Sequence, residues 1–191
     1  MPGASHPEIR KVKKDLEAPS IHGDKLWNSS LLLIDYLSKN PPEHHQTVLD
    51  AGCGWGVLSA WCAKALGADV TAVDADPSVF PYLEVVAALN NVSIHTRRAR
   101  YQQLTQKQLA QYDMLVAADI CFWDELVNPV YNLVNRAFKA GVKHIIIADP
   151  ERSTFLEMAE RSMEKHCADL IEWKLSRPVE ARGALLVIEN S

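Results

Sequence analysis

The chain has no Cys-x-x-Cys pair; its four cysteines, Cys53, Cys62, Cys121 and Cys167, are scattered. That spacing supplies neither a zinc site nor the disulfide framework of a small secreted domain. No apolar run approaches the roughly 18–20 residues of a membrane span, and the first residues lack the apolar stretch of a signal peptide. A cytoplasmic protein with no membrane partner is the expectation. Positive charge is also in short supply: 20 Lys and Arg stand against 24 Asp and Glu, for a net charge of −4. Binding to nucleic acid through bulk positive potential is therefore disfavoured, which leaves only a local patch for that role. Internal repeats and low-complexity tracts are missing too. What remains is ordinary for a globular protein, with 48% apolar and 23% charged residues in 191, enough for one domain with a proper core.

Glycine is sparse, with 8 residues in all, yet Gly52, Gly54 and Gly56 fall within one turn. Val48 and Leu49 end an apolar run that reads as a buried strand, and the glycines follow at once. From Trp55 onward Leu58, Trp61, Cys62, Ala65 and Leu66 recur at helical spacing, with Gly67 as the stop. Strand, glycine turn and helix N-terminus form a nucleotide-binding corner. Val57 stands where a dinucleotide fingerprint needs its third glycine. A second strand, Val70 to Val73, delivers Asp74, 24 residues after Asp50. A carboxylate at that place can accept both hydrogen bonds of a ribose diol. Asp76-Pro77 already supplies a helix cap and a first-position proline, which leaves Asp74 free for other work.

Asp50-Ala-Gly-Cys-Gly-Trp-Gly56 followed by Val-Asp74-Ala75 resembles the first two motifs of the class I, seven-β-strand S-adenosylmethionine-dependent methyltransferases. The resemblance implies an α/β fold: a Rossmann-like doubly wound sheet of seven strands, mostly parallel, with one antiparallel strand near the C-terminus. It also implies S-adenosylmethionine as cofactor, with the turn (Asp50, Gly52, Cys53, Gly54, Gly56) against its methionyl end and Asp74 with Ala75 at its ribose. It covers roughly residues 25–191, behind a polar arm of residues 1–24. In that arm Arg10, Lys11, Lys13 and Lys14 read as a solvated charge run or as a substrate-contacting lid.

Gly23-Asp-Lys-Leu-Trp27 and the leucine-rich helix after it are similar to the start of one subgroup, the seven-strand protein-lysine methyltransferases that include those acting on the electron-transfer flavoprotein β subunit. That likeness places Trp27 near the cofactor and the substrate channel; the plain alternative is an aromatic packed under the first helix. The helix runs from Asn28 to about Leu37 and ends at Asn40-Pro41-Pro42. Another follows Asp76 to about Leu89, and Val92 to Thr96 reads as the third strand. Most members of the family it resembles carry an acid shortly after that strand to read adenine. Arg97-Arg98-Ala99-Arg100 stands here instead, which leaves the adenine to backbone groups or to Gln102.

The fourth strand, Tyr112 to Ala118, ends at Asp119-Ile-Cys-Phe122-Trp123, which resembles the Asp-x-x-Tyr signature of the same subgroup with the hydroxyl removed. The adenine-amino signature Asn/Asp-Pro-Pro-Tyr/Phe lacks both its prolines here, and Cys121 lacks the proline that precedes a cytosine-C5 nucleophile. Asp124 caps the next helix, which Gly141 ends, and the fifth strand is His144 to Ala148. Asp149-Pro-Glu-Arg152 is similar to the Asp-Pro-x-Arg stretch of the flavoprotein-directed enzymes, and it reads equally as ordinary helix capping. A helix to about His166 and two strands, Ile171 to Leu175 and Ala184 to Ile188, close the chain, a pairing that a plain NAD-binding domain lacks.

Methyl transfer from a sulfonium needs collinear reactants, exclusion of water and a neutral nucleophile. Free lysine has a pKa of about 10.4, so its amine must be kept neutral or relieved of its proton. Asp119, which also lies toward the cofactor, is the candidate for that work. Phe122 and Trp123, with Trp27, form an aromatic wall for cationic groups. No metal is expected, because Asp119 and Asp149 alone are too few to hold one. A protein side chain is the expected acceptor; a small molecule, a nucleic acid or a non-catalytic cofactor-binding role are the alternatives.

Overall fold

The structure is a computed structural model that describes residues 5–15, 26–42, 46–177 and 179–190. Seven strands carry the fold: β1 (Thr47–Ala51), β2 (Asp69–Asp74), β3 (His95–Arg98), β4 (Met114–Ala118), β5 (His144–Asp149), β6 (Ala168–Leu175) and β7 (Ala181–Glu189). They join in one sheet of order β3-β2-β1-β4-β5-β7-β6. The first five run parallel, and β7 is antiparallel to both β5 and β6. Six strands therefore point one way and β7 the other, as the resemblance implied. Among the described residues no helix is long and apolar enough to cross a membrane.

The strand sequences explain this order. β4 and β5 are almost wholly apolar and buried along their length, which suits strands covered on both faces. On one face α6 (Asp124–Lys139) and α7 (Ser153–Met163) bury Val130, Leu133, Val134, Phe155 and Met158 against Leu115, Ala117, Ile145 and Ile147. On the other, α2 (Asn28–Lys39) and α3 (Val57–Ala65) bury Leu33, Leu37, Leu58 and Cys62 against Val48, Val116, Ile146 and Leu185. The alternation of facing sides is built into each strand, since successive residues point to opposite faces.

The third strand lies further along the chain than its hydrophobicity suggested. Asn91 takes a left-handed φ of 55° and ends α4 (Phe80–Asn90), and the Val92 N–H closes that helix by donating to Ala87 O at 3.1 Å. Val92 is thus spent on the helix end, and β3 begins at His95 opposite Thr71. As an edge strand β3 is polar and mostly exposed, so periodicity did not mark it. Trp55 also falls outside the helix it was expected to open: α3 starts at Val57, and the indole stacks on Tyr82 at 5.1 Å. At the start of α6, Trp123 occupies the cap position and makes no side-chain cap bond, while Asp124 is the first helical residue.

Within the arm, Pro7–Asp15 forms α1, whose Ile9 is fully buried in a cluster with Trp55, Val57, Tyr82 and Val86. Lys13 lies 5.3 Å from the Trp55 ring centroid. This segment is docked on the domain and not simply solvated. The expected boundary between arm and domain, and Gly23 to Lys25 of the Gly-x-x-Leu-Trp stretch, lie outside the described residues.

Candidate active site

Successive crossovers leave β1 toward β2 on one side and reach β4 on the other, so the carboxyl ends of β1 and β4 flank a crevice at the sheet's switch point. A cavity of about 810 Å³ opens there. Gly52 and Gly54 form its floor, and Asp74 and Ala75 its wall at the end of β2. The segment from Arg98, the last residue of β3, to Gln103 adds a further side. Asp119, Phe122 and Trp123 stand at the end of β4, and Trp27 leads into α2.

The turn after β1 is fixed by its own backbone. Gly52 N–H and Cys53 N–H both donate to Val73 O, at 2.8 and 3.0 Å, and Gly56 N–H donates to Cys53 O at 2.8 Å. All three glycines have positive φ, where a side chain is disfavoured. They differ in what surrounds them. A Cβ on Gly56 would overlap Leu83, whereas one on Gly54 would meet nothing within 4 Å and would project into open space. Gly54 is therefore the point at which a ligand can approach the main chain.

Asp74 is held at both oxygens. Gly54 N–H donates to Oδ2 at 3.1 Å and Asp76 N–H to Oδ1 at 3.0 Å, while burial raises the carboxyl above its usual range. Each oxygen keeps a second lone pair, which suits the acceptance of a diol. Asp76 caps the following 3-10 turn through Ser78, as its sequence position implied. Asp50 lies behind the turn, 1% exposed; Ser59 Oγ donates to it at 2.5 Å, and burial pushes its carboxyl up to about 7. It anchors α3 under the glycines. Asp50, Cys53 and Gly56 do not line the cavity, in contrast to Trp27, Gly52, Gly54, Asp74, Ala75, Asp119, Phe122 and Trp123.

The end of the cavity at β4 is organised by an arginine. Asp119 adopts φ 58°, its N–H donates to Ala148 O at 2.9 Å, and its side chain is almost fully buried. Arg152 Nη1 donates to Asp119 Oδ1 at 2.5 Å and to Asp149 Oδ2 at 2.8 Å, and Arg152 N–H donates to Asp149 Oδ1 at 2.8 Å. Burial raises Asp149 to about 6 even beside that cation. The guanidinium also lies 5.8 Å from the Trp27 ring, which ties α2 to the same corner. Asp119 Oδ2 makes no hydrogen bond within the described residues, and the residue lines the cavity. Phe122 and Trp123 meet edge to face at 4.7 Å, with Trp123 47% exposed at the mouth. Cys121 is fully buried, burial pushes its thiol up to about 12, and Sγ donates to Thr154 O at 3.4 Å, so it packs as a small buried group.

Among the site residues that sequence reasoning missed are Tyr101, from the turn after β3, and Glu125 of α6, together with Arg152, which works from just outside the lining. Arg152 was legible only as part of Asp149-Pro-Glu-Arg152, and Tyr101 had no signal.

Residues 48–141 match the family described as a methyltransferase domain, and the sheet order, glycine turn and acid after β2 agree with the resemblance to class I S-adenosylmethionine-dependent methyltransferases. The cavity fits that cofactor: it offers open main chain at Gly54, a held carboxylate at Asp74 and acids for a cationic sulfur.

Among known proteins, the chain is 31% identical to a ubiquinone biosynthesis O-methyltransferase of Xylella fastidiosa (strain 9a5c), over 46% of this chain and 35% of that protein. It is 25% identical to the human electron transfer flavoprotein beta subunit lysine methyltransferase, over 78% of this chain and 55% of that one. The chain thus spans about a third to a half of the length of these relatives. TrmN from Thermus thermophilus shares the fold, with a TM-score of 0.64 at 18% identity, over 83% of this chain and 48% of that one.

Proposed function

We propose that this chain is a methyltransferase acting on a protein side-chain amine, that of a lysine. The observation that carries this reading is Asp119: a buried carboxylate with one oxygen bound to Arg152 and the other open to the cavity, beside Phe122 and Trp123. Such a corner suits a nitrogen that arrives as a cation and reacts as a neutral amine. Glu125 adds a second acid to the same end. The human lysine methyltransferase, similar over most of this chain, supports the choice of acceptor, while the ubiquinone O-methyltransferase supports a small molecule as the second reading.

S-adenosylmethionine, when bound, supplies an activated methyl group on a sulfonium. The residues do the rest. The turn and Asp74 hold the donor. Asp119 Oδ2 accepts an N–H of the amine and turns its lone pair toward the methyl carbon. With Oδ1 taken by Arg152, Asp119 orients the amine through Oδ2, and the amine's proton leaves to water on the exposed side of Trp123. Trp27, Phe122 and Trp123 exclude solvent from the reacting atoms.

Incubating the protein with methyl-labelled cofactor and a cell extract tests the reading. Label is expected in material sensitive to protease and resistant to nuclease, and Asp119→Asn is expected to reduce transfer roughly 100-fold while cofactor binding persists. Label confined to small molecules or nucleic acid would reject the lysine acceptor, and an unimpaired Asp119→Asn variant would reject the orienting role.

A further inference from the structure

Tyr101 opens the 3-10 turn after β3, and its backbone is clamped. Arg136 of α6 donates from Nη2 to Tyr101 O at 2.6 Å and from Nε to Leu104 O at 2.9 Å. Just before the turn, Ala99 N–H donates to Asp74 O at 2.9 Å and Arg100 N–H to Gln103 Oε1 at 2.7 Å. From this fixed mount the side chain reaches inward to the first glycine of the turn. The hydroxyl oxygen lies 2.8 Å from the point a Cβ on Gly52 would occupy, with Ile120 Cγ2 2.7 Å from the same point. Glycine at 52 therefore makes room for this hydroxyl as well as for its own φ of 78°.

The ring packs on the core cluster that holds Ile120 and Cys121. The hydroxyl makes no hydrogen bond to any described residue, although Tyr101 lines the cavity. Burial, reinforced by the charge of Asp74, holds the phenol well above its ordinary range, so it remains an O–H donor. A half-buried donor with no partner among the described residues, at the lining of a ligand-sized cavity, marks a contact that the ligand completes. Tyr101 is also the one phenol among the residues that line this cavity, where Phe122 lacks the hydroxyl.

We propose that Tyr101 is a cofactor-contacting residue, its hydroxyl donating a hydrogen bond to an acceptor oxygen of the S-adenosyl donor where that molecule meets the glycine turn. This rests on the methyl-transfer reading, and binding measurements separate the two. Calorimetry on the full chain with S-adenosylhomocysteine is expected to show Tyr101→Phe binding about tenfold more weakly than the unaltered protein. The ligand-free melting temperature should be unchanged, since the substitution keeps the ring. Adenosine as a second probe identifies the partner. A parallel loss of its affinity assigns a ribose oxygen, and loss for S-adenosylhomocysteine alone assigns the carboxylate; either supports the contact.

Equal affinity of the two proteins for S-adenosylhomocysteine overturns the assignment while leaving methyl transfer standing. Weaker binding with a lowered ligand-free melting temperature also overturns it, because the ring's packing would then be the cause. An unaltered protein that takes up no S-adenosylhomocysteine overturns the methyl-transfer reading and this assignment together.

Discussion

At the scale of single residues, Arg152 carries more than any other side chain in the site. Its Nη1 lies between two carboxylates whose side chains are 4% and 1% exposed, Asp119 and Asp149. Neither has solvent to spread its charge, so the cation between them holds the corner together. Asp149 shows the cost: its carboxyl sits near 6, above the usual range, and the first cause is burial. A raised carboxyl of this kind adds stability that is fully present below its unfolded value near 4 and is lost as pH rises through about 6. Replacing Arg152 with Gln removes the compensation just where both acids are charged. The expected result is a loss of about 2–4 kcal/mol at pH 8, shrinking toward pH 4 as Asp149 takes up its proton. Urea unfolding at the two pH values checks this. Arg152→Lys should recover part of the loss, since a point charge replaces the fork but not its two-sided geometry. A pH-independent loss would show that packing against Trp27, and not charge, is what Arg152 supplies.

At the scale of elements, the turn after β1 separates two reasons for glycine that the sequence shows as one pattern. Gly54 and Gly56 have similar positive φ, 50° and 70°, but only Gly56 is crowded. Gly54→Ala should cost about 1–2 kcal/mol in backbone strain, leave the fold intact, and weaken S-adenosylhomocysteine binding by filling the floor of the cavity. Gly56→Ala adds the overlap with Leu83 to the same strain and should cost about 2–5 kcal/mol. Chemical denaturation orders the two variants, and equal losses would contradict the difference in their surroundings.

The same contrast explains what was legible beforehand. The glycine turn, Asp74 and the central strands announce themselves because each is a local pattern: small residues at a bend, an acid at a strand end, unbroken apolar runs. β3 did not, because an edge strand has no hydrophobic face to reveal it, and Val92 belongs to the end of α4 instead. Asp50 sits in the motif but is turned inward to Ser59. Tyr101 and Arg152 gain their positions through contacts with Gly52 and Asp119, 49 and 33 residues away, and no window of sequence contains both partners.

At the scale of the whole molecule, the cavity is lined from both halves of the sheet: the turn after β1 and the ends of β2 and β3 on one side, the end of β4 and the first turns of α6 on the other. A ligand that fills it is in contact with segments that are distant in the chain and adjacent only in the folded state. Unfolding must release that ligand, so binding stabilises the molecule as a unit. At a hundredfold excess over its dissociation constant, a ligand of this kind adds about 2.7 kcal/mol. For a domain of this size each kcal/mol moves the melting temperature by about 2–4 °C, so S-adenosylhomocysteine should raise it by about 5–10 °C in a single transition. NAD should leave it unchanged, because Val57 stands where the dinucleotide turn needs its third glycine. A melting curve that shifts with NAD, or one that splits so that only part of the signal responds to S-adenosylhomocysteine, would mean that the two halves of the sheet do not close on one shared ligand.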